Sequence, residues 1–216
     1  MAILGGTGKL GPGLAAHLAA SGRRVIIGSR QRDRAVETAT DLNARHGFAQ
    51  GTLSGDDNAS AAQRAAEAIV TVPMEAIDEG LTPLAAALTG KLVVSTVVPL
   101  EFTAGSPSLR LPDEGSAAQR IARLLPGSLV SAAFHTVSSA ELTRMTPLDA
   151  DSLICADDEV ALEATAALVR CVAGLTPVTV GGLEVAAQLE AVTVLMLLLN
   201  RRNRGHHAGI RITGLG

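Results

Sequence analysis

Aromatic side chains are almost missing from this chain, whose 216 residues include three Phe and neither Trp nor Tyr. The hydrophobic core must therefore be built from Ala, Leu, Val and Ile. A flat ligand ring would lie on aliphatic side chains and backbone, because few aromatic faces are available for stacking. The sequence also lacks a long basic run and carries a net charge of -3, which argues against nucleic acid as a partner.

Cysteines and metal ligands are equally sparse. Cys155 and Cys171 are the two cysteines, too few for a disulfide framework or a zinc site, and each lies in an apolar stretch that predicts a buried thiol. His206 and His207 form a pair without further ligands nearby, and the acidic run at residues 157–159 is better explained as the start of a helix. We therefore expect no bound metal.

The sequence shows no export or membrane pattern. Its N-terminus leads directly into a strand, which leaves no room for a signal peptide. The apolar run at residues 191–199 is too short to cross a bilayer. These observations predict a soluble, cytoplasmic protein without a membrane partner, with His17 and His46 on its surface.

Residues 3–11, ILGGTGKLG, carry the most informative pattern. Gly6, Gly8 and Gly11 follow a short apolar run and precede a helical stretch, the order that a dinucleotide-binding turn needs. The first glycine permits the turn, the second lets the backbone approach a pyrophosphate, and the third lets the helix pack close to the strand. The pyrophosphate would rest on the N-terminus of the helix. An ordinary glycine-rich turn is the alternative.

The pattern of the whole chain predicts an α/β fold. Apolar runs at residues 25–27, 68–72, 91–98 and 129–133 are typical of strands buried on both faces, and helical stretches separate them. This alternation predicts a Rossmann-type, doubly wound parallel sheet. Further strands and helices form a small C-terminal α/β part.

Local signals refine this layout. Residues 101–115 are rich in Pro, Gly and Ser, which predicts a loop. Residues 58–66 predict a short helix capped by Asn58, and Pro83 should interrupt the helix at 74–88. The apolar helix at 183–199 should be buried in the fold or against a second subunit, which predicts a homodimer.

The second strand ends in a sequence that distinguishes NADP from NAD. An NAD-binding fold places a carboxylate here for the ribose hydroxyl, whereas this chain has Ser29 followed by Arg30. A hydroxyl and a guanidinium suit a 2′-phosphate, and Arg34, one helical turn further, can approach the same group. Arg32 should be solvated, and Asp33 comes late enough to serve the helix N-terminus. The alternative is a solvated basic turn.

Nine segments, in order along the whole chain, resemble a known family. The segments are GGTGKLGPGLA (5–15), VIIGSR (25–30), AIVTVP (68–73), KLVVSTVVPL (91–100), GSAAQ (115–119), SAAFHTVSS (131–139), CADD (155–158), GLTPV (174–178) and GIRI (209–212). In these segments the chain is similar to the NADPH-dependent reductases of the 8-hydroxy-5-deazaflavin coenzyme F420, the F420:NADP oxidoreductases. The chain departs from the family at Met74, where an aromatic residue is frequent, and at Gln119, where a glutamate is frequent.

The resemblance implies an NADP-binding Rossmann domain at 1–137 and a small C-terminal domain at 138–216 that completes a cleft. It also implies two ring systems in that cleft, with NADP(H) as one cofactor and coenzyme F420 as co-substrate. It assigns the pyrophosphate to Thr7, Gly8, Lys9 and Leu10, and the 2′-phosphate to Ser29, Arg30 and Arg34. The border of the nucleotide falls to Pro73 and Met74. The two facing rings are assigned to Ser95, Val98, Pro99, His135, Thr136 and Val137.

The implied chemistry is hydride transfer by an oxidoreductase. It needs no nucleophile, so the protein has to hold the two rings face to face and exclude water. His135, the ionisable group of the matched cleft segment, is the one candidate catalytic residue. It could hydrogen-bond a ring or balance its charge, or it could simply be a strand-end histidine bonded to backbone.

Two other functions remain open at the level of sequence. One is an NADP-dependent reductase of another acceptor, such as a ketone, an imine or a flavin-like compound. The other is a non-catalytic NADPH-binding module. The basic tail at Arg201, Arg202 and Arg204 could contact an anionic side chain of the deazaflavin or a partner subunit, or could be a solvated helix end.

Overall fold

The computed structural model describes residues 1–203 and 207–214. Eight strands form one sheet: β1 Ala2–Leu4, β2 Val25–Ser29, β3 Leu53–Asp57, β4 Glu67–Val70, β5 Leu92–Ser95, β8 Leu129–Ala132, β9 Ala150–Ala156 and β10 Leu175–Gly181. Two further strands, β6 Leu100–Thr103 and β7 Ser106–Leu109, form a separate hairpin. The order in the sheet is β10-β9-β8-β5-β4-β1-β2-β3.

The sheet is mostly parallel, which confirms the predicted Rossmann-type fold. From β3 to β8 every pair of neighbours runs parallel. The direction reverses between β8 and β9, where Ser131 pairs with Ala156 in antiparallel register, and β10 runs parallel to β9. The sheet thus continues past residue 137, and the division into two domains stays a prediction.

Helices cover both faces of the sheet. They are α1 Gly11–Ala20, α2 Arg32–His46, α3 Asn58–Arg64, α4 Ile77–Leu81, α5 Ala85–Leu88, α6 Ala117–Leu124, α7 Ser139–Thr143, α8 Glu159–Arg170 and α9 Ala186–Arg202, with 3₁₀ turns at Met74–Ala76, Thr82–Leu84 and Leu183–Val185. Pro83 lies in the 3₁₀ turn between α4 and α5, as expected of a residue that cannot donate a backbone hydrogen bond.

The predicted loop at 101–115 is wrong in its first half. Residues 100–109 form the β6–β7 hairpin, in which Leu100 pairs with Leu109. Its two central residues, Ala104 and Gly105, have φ of 49° and 77°. Positive φ at both positions is the geometry of the tight turns that match the twist of a hairpin, which Gly adopts readily and Ala at a cost.

Three other local expectations are wrong. Asp57, rather than Asn58, caps α3, because its carboxylate accepts a hydrogen bond from Ser60 N at 2.8 Å. His17 is buried instead of exposed, with 3% of its surface accessible, because α1 packs against α7 on that side. Cys171 is half-buried, whereas Cys155 is fully buried as predicted.

Two aliphatic clusters, one on each face of the sheet, make up the core. Strand β1 contributes Ile3 to one cluster and Ala2 and Leu4 to the other, as expected of a strand covered on both faces. Phe134 is the largest side chain among the fully buried ones. The core therefore has the aliphatic character that the composition predicts.

Helix α9 is only partly buried. Its last turns leave Leu195, Leu198 and Leu199 exposed by 57%, 39% and 44%, so the expected burial within this chain is not complete. The stretch from Leu183 to Arg202 spans 20 residues and contains an 18-residue window with a mean hydropathy of 1.6, so its length and composition alone would suffice to cross a membrane. The helix, however, packs on α6, β7 and β9 as part of the fold.

Candidate active site

The predicted site residues lie together at one edge of the sheet. They occupy the loops that follow the carboxyl ends of β1, β2, β4, β5 and β8, which are neighbours in the sheet. Open α/β sheets bind ligands in the crevice outside these strand ends. The fold thus brings the predicted residues to one edge, while their roles stay predictions.

The glycines of the turn after β1 differ in what a side chain at their position would contact. A Cβ on Gly6 would lie 2.8 Å from the carbonyl oxygen of Ile3, and one on Gly11 would lie 2.5 Å from the Cα of Gly6. These two positions therefore need glycine for the turn and for the close approach of α1. Among the described residues, a Cβ on Gly8 would meet only the Gly5 carbonyl oxygen, at 3.5 Å. The side of the turn at Gly8 is thus open for a ligand.

The same turn presents free backbone donors. Gly5 N donates to Asn58 Oδ1 at 3.1 Å, Gly6 N to the Gly28 carbonyl at 2.8 Å, and Gly8 N to Gly5. Within the part of the chain that the structure describes, no acceptor is bonded to the backbone N–H of Thr7, Lys9 or Leu10. Free N–H groups beside the N-terminus of α1 make an anion site.

Asn58 is a residue that the sequence did not identify as part of the site. The notable contact joins it to Gly5, 53 residues away, and no local pattern reveals such a contact. The side chain also comes close to Gly28, where a Cβ would lie 2.7 Å from Asn58 Oδ1. Asn58 therefore joins the start of the turn to β2 and α3. It bonds only the N–H of Gly5, so the N–H groups of Thr7, Lys9 and Leu10 stay free.

The end of β2 carries the predicted phosphate-binding groups. Ser29 is almost buried, with 6% exposed, and its hydroxyl accepts hydrogen bonds from Thr7 Oγ1 at 3.4 Å and Gln31 N at 3.2 Å. Arg30 and Arg34 are exposed, and neither forms an ion pair with any described residue. Two guanidinium groups thus remain available beside the hydroxyl.

Arg32 differs from its neighbours because it has a partner. Its Nε lies 3.3 Å from Asp56 Oδ1, while Arg64 holds the other oxygen of Asp56 at 2.8 Å. The side chain is two-thirds exposed, as expected of a solvated arginine, and the ion pair is an addition that the sequence did not predict. The ion pair directs Arg32 towards β3 and away from Arg30 and Arg34.

The ends of β4 and β5 form an apolar part of the edge. Thr96 donates from both its N and its Oγ1 to the Val70 carbonyl, at 3.2 and 2.9 Å, which joins the two loops. Ser95 is fully buried, and its hydroxyl accepts from Val97 N at 3.3 Å. Val98 is half-buried and Pro99 buried, whereas Pro73 is exposed. These bonds hold the two loops rigidly.

A pocket of about 390 Å³ opens beside this part of the edge. Met74 and Pro99 line it together with Leu100 and Glu101 of the hairpin and with Arg110, the residue after the hairpin. The sequence did not predict this wall, because residues 101–115 read as a loop. The hairpin therefore extends the cleft beyond the strand ends.

The turn after β8 is held by three polar contacts. Phe134, at a φ of 65°, donates its N–H to Ser152 Oγ at 3.0 Å. The carbonyl of His135 accepts from Thr193 Oγ1 at 2.8 Å, and Thr136 Oγ1 donates to the Asp151 carbonyl at 3.1 Å. A bulky residue at positive φ is strained, so these bonds stabilise an unusual backbone.

The ring of His135 is the unsatisfied group of this turn. Its residue is 7% exposed, and neither ring nitrogen has a hydrogen-bond partner among the described residues. Burial lowers the pKa of His135 to about 4, and the nearby backbone of Val97 opposes this shift to a smaller extent. The imidazole is therefore neutral at pH 7, with one donor and one acceptor available to a ligand.

The acidic run and the tail have structural contacts. Asp158 caps α8 by accepting from Ala161 N at 3.1 Å, which confirms the predicted helix start, and Asp157 accepts from Leu183 N at 2.7 Å. Arg201 donates to the Gly105 carbonyl at 2.7 Å. Arg204 and His206 lie outside the described residues.

The arrangement suits binding and positioning more than acid–base chemistry. Backbone N–H groups beside a helix N-terminus fit a pyrophosphate, and a hydroxyl with two guanidinium groups fits a further phosphate. Next to them lie rigid aliphatic strand ends and one neutral imidazole whose nitrogens are free. These features match a dinucleotide and a second polar ring.

Comparisons with known proteins identify a family. The family model described as NADP oxidoreductase, coenzyme F420-dependent, matches residues 1–99. The F420-dependent NADP reductase of Methanothermobacter marburgensis is 40% identical, with an alignment that covers 100% of this chain and 98% of that protein. The F420-dependent NADP reductase of Methanocaldococcus jannaschii is 36% identical over 100% of this chain and 98% of its own.

Solved structures support the same fold. A putative F420-dependent NADP-reductase from an Arthrobacter species superposes with a TM-score of 0.84 at 22% identity, covering 99% of this chain and 98% of that one. An imine reductase from Bacillus cereus gives a TM-score of 0.63 at 14% identity, over 93% of this chain and 60% of that one. At these identities the likeness concerns the fold.

Proposed function

The chain belongs to the family of F420-dependent NADP oxidoreductases, and on that premise we propose which of its residues bind the two substrates. The protein is an oxidoreductase that transfers a hydride between NADP(H) and coenzyme F420. Reduction of another acceptor and non-catalytic NADPH binding are not favoured, because the full-length relatives are F420-dependent NADP reductases.

The observation that carries the nucleotide assignment is the set of free donors after β1 and β2. In our proposal the N–H groups of Thr7, Lys9 and Leu10 hold the pyrophosphate. Because Gly8 has no side chain, the ligand can approach the backbone. Ser29, Arg30 and Arg34 hold the 2′-phosphate, and Pro73 and Met74 border the nucleotide.

The second part of the proposal concerns the rings. When both substrates are bound, the nicotinamide supplies a hydride to the deazaflavin. Ser95, Val98 and Pro99 form a dry, rigid wall that fixes the distance between the rings and excludes water. His135 to Val137 follow β8, the strand next to β5 in the sheet, and in our proposal the neutral His135 ring gives a hydrogen bond to a polar ring atom.

The proposal extends to the whole protein. We propose a soluble, cytoplasmic homodimer in which the exposed side of α9, at Leu195, Leu198 and Leu199, faces a second copy. We also propose that residues 1–137 bind NADP(H) and residues 138–216 complete the cleft. The support for the dimer is that these three leucines recur on one side of the helix and remain exposed.

A direct assay tests the function. Purified protein mixed with NADPH and oxidised F420 should bleach the visible absorbance of the deazaflavin, with NADPH consumed in equal amount. NADH in place of NADPH should react far more slowly, because it lacks the 2′-phosphate. Folded protein that binds NADPH but leaves the deazaflavin oxidised would contradict the proposed substrate.

A further inference from the structure

Helix α9 reaches the candidate site through two polar side chains. Glu190 and Thr193 are three residues apart, so they lie on the same side of the helix, about one turn from each other. Glu190 contacts the start of α6, and Thr193 contacts the turn that carries His135. The nine-segment resemblance includes neither residue.

Glu190 fastens α9 to α6. Its carboxylate is fully buried. One oxygen accepts from Ala117 N and the other from Ala118 N, both at 3.1 Å. These two N–H groups belong to the first turn of α6, where backbone N–H groups have no acceptor within the helix. A buried carboxylate with both oxygens bonded to one neighbouring helix fixes the position of α9 along its axis.

Thr193 transmits this position to the site. Its hydroxyl donates to the carbonyl of His135 at 2.8 Å, across 58 residues of sequence. The flanking residues of the turn are bonded to β9, through Ser152 and Asp151. Thr193 therefore supplies the bond to the His135 carbonyl itself, and this peptide group sets the direction in which the imidazole leaves the backbone.

The surroundings of His135 make this bond important. Neither ring nitrogen has a partner that meets hydrogen-bond geometry among the described residues, although the Val97 backbone lies close enough to favour the protonated ring. The imidazole is therefore only weakly held before a ligand arrives. Its orientation depends on the backbone of the turn, which is strained at Phe134 with a φ of 65°. Loss of one of the bonds that hold such a turn should let it relax.

We propose that Thr193, held in place by Glu190, is a positioning residue that sets the His135 turn against the bound acceptor ring. This inference rests on the proposed function, because it needs a ring opposite His135. It predicts an effect on the reacting geometry and none on the nucleotide site, since the donors for NADPH lie on the loops after β1 and β2. A purely structural bond would lower stability without this selectivity.

Thr193→Val tests the proposal, because valine keeps the shape and removes the hydroxyl. We expect kcat for F420 reduction to fall about 5- to 30-fold, the range that corresponds to a lost hydrogen bond and a displaced contact. The Kd for NADPH should change by less than about twofold. Thr193→Ser, which keeps the hydroxyl, should restore most of kcat.

Thr165→Val is the matched control. Thr165, on α8, is fully buried, whereas Thr193 is half-buried, and the Thr165 hydroxyl is 2.6 Å from Ser131 Oγ on β8. The control variant therefore loses a hydroxyl that is at least as buried, near the same strand but away from the turn. It should lower the melting temperature without the selective loss of kcat. A second variant, Glu190→Gln, should also lower kcat with NADPH binding intact, because the amide can accept from only one of the two N–H groups.

The outcomes separate the inference from the proposed function. An inactive wild-type protein would contradict the proposed function. An active wild type with unchanged kcat in Thr193→Val would overturn the inference, as would equal losses in the Thr165 control. A Thr193→Val protein that does not fold leaves Glu190→Gln and Thr193→Ser to decide, and wild-type kcat in Glu190→Gln would then overturn it.

Discussion

Three arginines within five residues have different environments. Arg30 and Arg34 are exposed without an ion pair among the described residues, whereas Arg32 is paired with Asp56. The acidic group therefore does not compete for the two arginines proposed to hold the 2′-phosphate. It also lies at the end of β3, rather than at the end of β2 where an NAD-binding carboxylate would stand.

Arg30→Ala should separate the two nucleotides. A charge-assisted contact with phosphate contributes about 1 to 3 kcal/mol, so the Kd for NADPH should rise between roughly fivefold and 150-fold. The Kd for NADH should change little, because NADH has no group at this position. Arg32→Ala is the control and should leave both values nearly unchanged. Equal losses for NADPH and NADH, measured by calorimetry, would contradict the 2′-phosphate assignment.

The site residues that the sequence predicted have local contacts, whereas those that it did not predict have distant ones. Gly6, Gly11 and Ser29 lie in short patterns, because one turn and one strand end determine what they contact. Asn58 and Thr193 contact partners more than 50 residues away. Such contacts arise from the order of strands in the sheet, which local spacing does not encode.

At the scale of elements, helices and buried strands were predictable, whereas the hairpin was not. Apolar runs and Pro83 located the main elements, because burial on both faces and a missing N–H act locally. The β6–β7 hairpin escaped notice since its strands are short and mostly exposed and therefore lack an apolar pattern. Its turn also places Ala104, an unusual residue, at positive φ.

The exposed side of α9 gives a prediction at this scale. Leu195→Glu should convert the proposed homodimer into a monomer, because burying a carboxylate in an apolar interface is costly. Sedimentation equilibrium would measure the mass of both proteins. Val160→Glu, at a residue of α8 that is 63% exposed, is the control and should remain a dimer. A monomeric wild type, or a dimeric Leu195→Glu protein, would contradict the proposed interface.

At the scale of the whole molecule, the parallel sheet followed from alternating elements, but its reversal after β8 did not. Connection lengths do not reveal whether β9 pairs parallel or antiparallel, and the structure shows antiparallel pairing with β8. The reversal brings the start of β9, with Asp151 and Ser152, against the His135 turn. The later part of the chain thus supports a site whose visible motifs lie in the first 137 residues.

Two buried groups should shape how stability depends on pH. Burial raises the pKa of Glu190 from 4.5 to about 7, while backbone bonds from Ala117 and Ala118 oppose the shift. Burial lowers the pKa of His135 from 6.5 to about 4. From pH 4.5 to 7 the unfolded chain has lost the Glu190 proton that the folded protein keeps, so this group lowers stability as pH rises. From pH 6.5 to 4 only the unfolded chain protonates His135, so this group lowers stability as pH falls.

Between pH 4.5 and 6.5 the two contributions should cancel, and single variants should reveal them. Relative to wild type, the free energy of unfolding of Glu190→Gln should rise with pH by up to about 1.4 kcal/mol per unit, and that of His135→Asn should fall by a similar amount. Urea titrations at several pH values would measure both slopes, and slopes of the same sign would contradict the assignment. The double variant should follow the wild type.

Glu190, buried against the start of α6, thus affects how many protons the protein takes up or releases when it folds. In mildly acidic solution the unfolded chain holds one proton on the imidazole, and the folded protein holds one on the carboxyl group. For this pair, folding releases one proton from His135 and takes up one on Glu190. The protein can therefore bury both groups in mildly acidic solution with no net uptake or release of protons on their account.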